Sequence, residues 1–245
     1  MKIEEHDLLS SSGEFSRKAW YLPCAKSPEQ FCIFLDGEYY VNRMDAAAKL
    51  IGLQESESIP PVACLFISHF DGEARHYDYT CNKRYANFVA SDVIAWLHER
   101  NPEVTLTGHL IGGTSLSGLQ AAFTAMTHSK TFALSLIQSG SFWWNKEWLK
   151  ENLPNLCATE GRFWISVGDK ETESEATHPP TGMRQELDQI SATERFIGRL
   201  KHYNSEVCYH LYSGGHEIRP WEQEFSSAIQ WLHKGVEQGS GGNVG

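Results

Sequence analysis

At 245 residues, with 41% hydrophobic and 21% charged residues, the chain has the composition of one globular domain with a sizeable core. Its formal net charge is −10, from 21 Lys and Arg against 31 Asp and Glu; such a field repels phosphate backbones and anionic lipid heads and argues against nucleic acid and membrane partners. No apolar run approaches the ~20 residues of a membrane span.

The first residues, Met-Lys-Ile-Glu-Glu-His-Asp, are acidic and polar, without the basic flank and apolar stretch of a secretory signal, so a cytoplasmic location is expected. Antiparallel strands are expected near Lys18 to Pro23. Short apolar runs bounded by turn residues follow at Phe31 to Leu35, Val62 to Ser68, Val104 to Ile111, Phe132 to Gln138, Phe163 to Val167 and Val207 to Tyr212. Runs of this kind suit strands buried on both faces of a parallel sheet. Between them, Arg84 to Arg100 places Tyr85, Phe88, Val89, Val93, Trp96 and Leu97 on one helical face. Further helices are expected at Ser117 to Thr127, Met183 to Tyr203 and Trp221 to Lys234. Alternating strands and helices imply an α/β protein with a mainly parallel central sheet.

Residues 169–182, charged and then Pro-rich, read as a loop, and residues 235–245 as a disordered Gly-rich tail after a single domain spanning 1–234. Six cysteines (Cys24, Cys32, Cys64, Cys81, Cys157, Cys208) are scattered without a Cys-x-x-Cys pair, which points to reduced thiols.

The chemistry concentrates in VTLTGHLIGGTSLSGLQAAF, a β-type run, a Gly pair and Gly113-Thr114-Ser115-Leu116-Ser117-Gly118, followed by helix formers. A serine at the apex of a strand-turn-helix is a nucleophile elbow, whose small neighbours permit the strained turn that exposes the hydroxyl. Ser115 is the candidate nucleophile. The usual glycine two residues later is replaced by Ser117, so a helix-capping turn competes with the catalytic reading. A phosphate loop is the weaker competitor, because its lysine is missing. His216, in the glycine-rich loop after Val207 to Tyr212, is the candidate general base. The acid is expected after Phe163 to Val167; Glu171 is the first choice, with Asp169 and Glu173 as rivals. An oxyanion hole would draw one N–H from Leu116 and a second from Gly37 or Glu38 in the loop after Phe31 to Leu35.

Taken together, LDGEYY (35–40), RHYDYTCN (75–82), GTSLSG (113–118), LIQSGSFWW (136–144), GDKE (168–171) and SGGHE (213–217) resemble, in order, the enterochelin (ferric enterobactin) esterases. That family lies within the esterase-D-like α/β-hydrolases. The resemblance implies an α/β-hydrolase fold with helices on both sheet faces, and hydrolysis of the trilactone of a catecholate siderophore to aid iron release. It implies Ser115 as nucleophile, His216 as base and Glu171 as acid, with no metal and no cofactor of the enzyme's own. Arg75 falls at a family arginine near the site and would meet an anionic ferric complex, unless it pairs with Asp78 or Glu73. Trp143 and Trp144 would stack on substrate rings, or pack inward. Lys83 and Arg84 would add local positive charge or lie solvated on the surface. Full-length cytoplasmic members carry an additional N-terminal domain, for which this chain has only about 30 residues before its first matched strand.

Two other readings remain. One is a carboxylesterase, thioesterase or peptide-lactone hydrolase acting on another small-molecule ester. The other is a hydrolase-fold binding protein without catalysis.

Overall fold

The computed structural model of the protein describes residues 2–156, 160–203 and 205–234. Cys157 and the tail at 235–245 lie outside the described residues.

Two antiparallel strands, β1 (Glu4–Leu9) and β2 (Ser16–Leu22), lead into β3 (Gln30–Leu35), α1 (Gly37–Asn42), α2 (Ala46–Glu55), β4 (Val62–Ile67), α3 (Gly72–Asp78) and α4 (Lys83–Asn87). A π turn at Phe88–Val93 joins α4 to α5 (Ile94–Arg100), and β5 (His109–Thr114), α6 (Leu116–Thr127), β6 (Phe132–Gln138), α7 (Trp144–Asn152) and β7 (Arg162–Gly168) follow. The hairpin β8 (Ala176–His178) and β9 (Met183–Gln185) comes next, then α8 (Gln189–Leu200), β10 (Glu206–Tyr212) and α9 (Ile218–His233). Eight strands form one sheet in the order β1-β2-β4-β3-β5-β6-β7-β10, parallel from β4 to β10 and antiparallel at the β1-β2-β4 end.

Strands buried on both faces explain the near-continuous apolar runs. In β3, Phe31, Ile33 and Leu35 pack into a core cluster with Tyr85, Val89, Leu119 and Phe196, while Cys32 and Phe34 turn to the opposite cluster with Leu50, Phe225 and Ile229. Helices α2 and α9 thus cover one face and α4 to α6 and α8 the other, as expected for an α/β sheet. Among the described residues, no helix is long and apolar enough to cross a membrane.

Three expectations shift. The strand expected at Val104 to Ile111 lies at His109–Thr114, because both glycines of Gly112-Gly113 belong inside it. A Cβ on Gly112 would sit 2.8 Å from Phe34 Cδ1, and one on Gly113 2.3 Å from the Ser117 carbonyl oxygen, so close packing takes the glycines that a sequence pattern assigns to a turn. The helix expected from Met183 begins only at Gln189, after Asp188, whose side chain caps it by accepting from Ser191 N at 2.8 Å. The loop expected at 169–182 carries instead the first strand of the β8-β9 hairpin.

Candidate active site

Ser115 stands between β5 and α6 at φ 56° and ψ −122°, a conformation costly for a side-chain-bearing residue. The turn is held on both sides: Ser115 N donates to the Gln138 carbonyl at 2.8 Å, and Ser141 N donates to the Ser115 carbonyl at 3.0 Å. Ser117, the departure from the usual glycine, is fully buried, and its hydroxyl accepts from Thr114 N at 2.9 Å and donates to the Thr114 carbonyl at 2.8 Å. It therefore fits the elbow and satisfies a backbone group inside it.

His216 Nε2 lies 2.9 Å from Ser115 Oγ, and His216 Nδ1 lies 2.5 Å from Glu171 Oε2. A carboxylate can only accept, so Nδ1 carries the proton and Nε2 offers its lone pair to the serine hydroxyl. The other Glu171 oxygen accepts from the hydroxyls of Ser139 and Tyr212, each at 2.7 Å, and from Gly168 N at 2.8 Å. Trp221 Nε1 donates to both of those hydroxyls, at 3.0 and 2.9 Å, and its indole meets the His216 ring edge-to-face at 5.1 Å. Burial pushes the Glu171 carboxyl toward protonation, but the bonds from His216, Ser139 and Tyr212 outweigh it and hold the pKa below the usual carboxylate range.

Of the three acidic candidates in this loop, Glu171 alone touches the imidazole. Asp169 instead ties the histidine loop down: its Oδ1 accepts from Gly214 N at 2.9 Å, its own N–H donates to the Tyr212 carbonyl at 2.9 Å, and Lys170 N donates to the Gly214 carbonyl at 2.9 Å. Gly168 permits this approach, since a Cβ there would lie 2.3 Å from the Gly214 carbonyl oxygen. Glu173 is exposed at the rim.

Ser115 and His216 open on a cleft of about 550 Å³. Leu116 lines it, and its N–H belongs to the first turn of α6, where backbone donors lack intrahelical partners. Gly37 and Glu38 are not among the lining residues. Gly37 packs on β4, where a Cβ would lie 2.7 Å from the Phe66 carbonyl carbon, and Glu38 turns to Ser68 and His69; Tyr39 is the residue of that loop that reaches the cleft.

Arg75 also lines the cleft, and its partner is neither Asp78 nor Glu73. Its Nε lies 3.0 Å from both carboxylate oxygens of fully buried Asp36, and Nη2 lies 2.6 Å from Oδ2. Asp78 pairs with Arg17. Burial opposes ionisation of Asp36, but Arg75 and His69 outweigh it and keep the carboxyl low, while the hydrogen bonds that His69 donates to Asp36 and Glu38 push its pKa up to about 9. Asp36 thus fixes a guanidinium at the cleft wall in bidentate geometry.

The two tryptophans divide. Trp143 lines the cleft, with its Nε1 donating to Gln189 Oε1 at 2.5 Å; Trp144 packs edge-to-face on Trp148 and borders an adjoining pocket. Lys83 and Arg84 lie outside the cleft lining, and Arg84 pairs with Glu14 at the surface. The sequence reading missed Arg43, His76, His178 and Gln185, all of which line the cleft. His178 and Gln185 come from the hairpin, whose short strands carry no usable periodicity.

Fold and site together define an α/β-hydrolase with a hydrogen-bonded Ser-His-Glu array at its strand ends. A family model described as "Putative esterase" matches residues 18–232, and the chain belongs to this esterase family. Among curated relatives, the iron(III) enterobactin esterase of Dickeya dadantii is 25% identical over 246 residues, covering 94% of this chain and 54% of that protein. The iron(III) salmochelin esterase of Escherichia coli O6:H1 is 23% identical over 215 residues, covering 84% and 51%. The chain therefore spans about half the length of the curated relatives it matches. Among solved structures, the enterobactin esterase of Shigella flexneri in the presence of enterobactin superposes with a TM-score of 0.81 at 20% identity, covering 95% of this chain and 59% of that one. The BES protein of Bacillus cereus superposes at 0.76 with 17% identity, covering 95% and 96%.

Proposed function

We propose that the protein is a serine esterase acting on the ester bonds of a catecholate siderophore of the enterobactin type. The observation that carries this reading is the Ser115–His216–Glu171 array opening on a cleft walled by Arg43, Arg75 and Lys170. Arg75 is paired with Asp36, and Glu171 and Glu173 share the lining, so the positive charge left to meet an anionic ferric complex is that of Arg43 and Lys170. Arg43 and Lys170 have no ion pair among the described residues, which leaves both charges for a ligand.

In this mechanism, His216 Nε2 takes the proton of Ser115 Oγ as that oxygen bonds to the ester carbonyl carbon. The Leu116 N–H stabilises the oxyanion, and Glu171 stabilises the imidazolium. The C–O bond to the leaving alcohol breaks as His216 returns the proton to it, and water, activated by the same imidazole, then releases the acid. Iron enters as part of the substrate. The five described cysteines are free, which supports a reducing compartment such as the cytoplasm.

Hydrolysis of enterobactin and its ferric complex, followed by chromatography for wild type, Ser115→Ala and His216→Ala, tests this. Trilactone cleavage abolished by both substitutions is expected. Turnover of a simple aryl ester without trilactone cleavage would leave the esterase and remove the siderophore.

A further inference from the structure

Two glutamines clamp one wall of the cleft, and each is locked by two backbone carbonyls. Gln189 Nε2 donates to the carbonyls of Ser139 and Gly140 at 2.6 and 2.5 Å, leaving its oxygen to accept from Trp143 Nε1. Gln185 Nε2 donates to the carbonyls of Glu173 and Leu187 at 2.9 and 3.1 Å, and its oxygen faces His178 Nε2 at 2.9 Å. Between the glutamines, the Trp143 indole and the His178 imidazole stack with centroids 5.1 Å apart and planes 18° from parallel. Both rings line the cleft.

This clamp assigns a tautomer. Carbonyl oxygens accept only, so the Gln185 nitrogen is the atom facing them and its oxygen is the atom facing His178. His178 Nε2 must therefore donate, and in the neutral ring Nδ1 then carries a lone pair. Nδ1 has no hydrogen-bond partner among the described residues. A ring held on one face by an indole and at one nitrogen by a locked amide is oriented before ligand arrives, so an acceptor on it costs little ordering on binding.

We propose that His178 is a substrate-contacting specificity residue whose Nδ1 accepts a hydrogen bond from the aryl-amide arm of the substrate. This rests on the siderophore-esterase reading above. The donor on that arm is either an amide N–H, present in both forms of a catecholate, or a phenolic O–H, which iron coordination removes.

The test separates this contact from the chemistry. Turnover by the wild-type enzyme reads the esterase assignment. Binding to the Ser115→Ala protein, titrated by tryptophan fluorescence with iron-free and ferric enterobactin, reads the contact. Adding His178→Phe keeps an aromatic ring on Trp143 and removes the acceptor, and is expected to weaken binding roughly tenfold, the scale of one hydrogen bond. Loss on both forms identifies the amide donor; loss on the iron-free form alone identifies the phenol. His178→Asn, which can set a side-chain oxygen near the Nδ1 position, is expected to recover most of the affinity. In the catalytically intact background, His178→Phe should lower kcat/KM for the catecholate trilactone by a larger factor than for p-nitrophenyl butyrate, which has no donor. Unaltered affinity in His178→Phe, an equal loss on the donor-free ester, or no binding of either form to Ser115→Ala would each overturn the proposal.

Discussion

The Ser117 hydroxyl grips the backbone of Thr114 at both ends, accepting from its N–H at 2.9 Å and donating to its carbonyl at 2.8 Å. Ser117 stands at the position where the elbow pattern has glycine. There is room for its side chain because glycines take up the crowding elsewhere: Gly113 lies under the Ser117 carbonyl, and Gly118 packs 3.2 Å from Gly140 Cα, measured from where a Cβ would be. The serine replaces conformational freedom with a stitch across the turn that presents Ser115.

Ser117→Ala should therefore lower stability by about 1–3 kcal/mol, because the buried Thr114 N–H loses its partner. Urea denaturation reads this as a lower midpoint at unchanged slope. A midpoint equal to wild type would mean that the stitch contributes nothing.

Glu171→Gln should reduce kcat by roughly four orders of magnitude, since an amide nitrogen facing Nδ1 favours the wrong imidazole tautomer. Asp169→Asn keeps an oxygen for Gly214 N and should leave turnover near wild type. Steady-state rates of the two variants on one ester separate the acid from its neighbour, and the reverse order would reassign it.

Asp36→Asn should destabilise the protein by about 3–5 kcal/mol, because it strands the Arg75 guanidinium at a site only 16% exposed. Replacing both partners, Asp36→Leu with Arg75→Met, should return much of that loss while weakening binding of the anionic ligand proposed above. Thermal melts and ligand titration of the single and double variants give the coupling. Additive losses would show the pair to be energetically independent.

The pH dependence of stability has two limbs of opposite sign. His69 has its pKa raised from 6.5 to about 9, so its contribution is full below 6.5 and disappears as pH rises through about 9. Asp36 and Glu171 have lowered pKa values, so theirs is full above the ordinary carboxylate range and disappears as pH falls through the depressed values. His69→Gln should flatten the stability profile between pH 6.5 and 9 and leave the acid limb in place. An alkaline limb that survives this substitution would exclude His69 as its source.

Much of the sheet was legible because buried parallel strands write themselves as apolar runs: β3, β4, β6, β7 and β10 fall within a residue of their expected bounds. The helix expected over Arg84 to Arg100 exists, but a π turn divides it at Phe88–Val93, and both of those buried residues stand five apart. No local pattern announces such a turn. Helices α1, α2, α3 and α7 were missed; α1 and α3, with six and seven residues, are too brief for a periodic face and persist by tertiary packing.

By itself, the sequence determined the alternation of the buried parallel strands with their main covering helices, the elbow serine, and the glycine-flanked histidine beyond the last strand, because each rests on local backbone requirements. Only the tertiary structure decided which carboxylate reaches His216, which acid holds Arg75, and which tryptophan lines the cleft. Those are choices among chemically equivalent neighbours, such as Asp169 against Glu171 or Asp36 against Asp78, and they are settled by distances between segments far apart in the chain. The cleft wall around His178 belongs to the same class: two glutamines, a tryptophan and a histidine from three segments acquire a shared orientation only once folding brings backbone carbonyls to both amides.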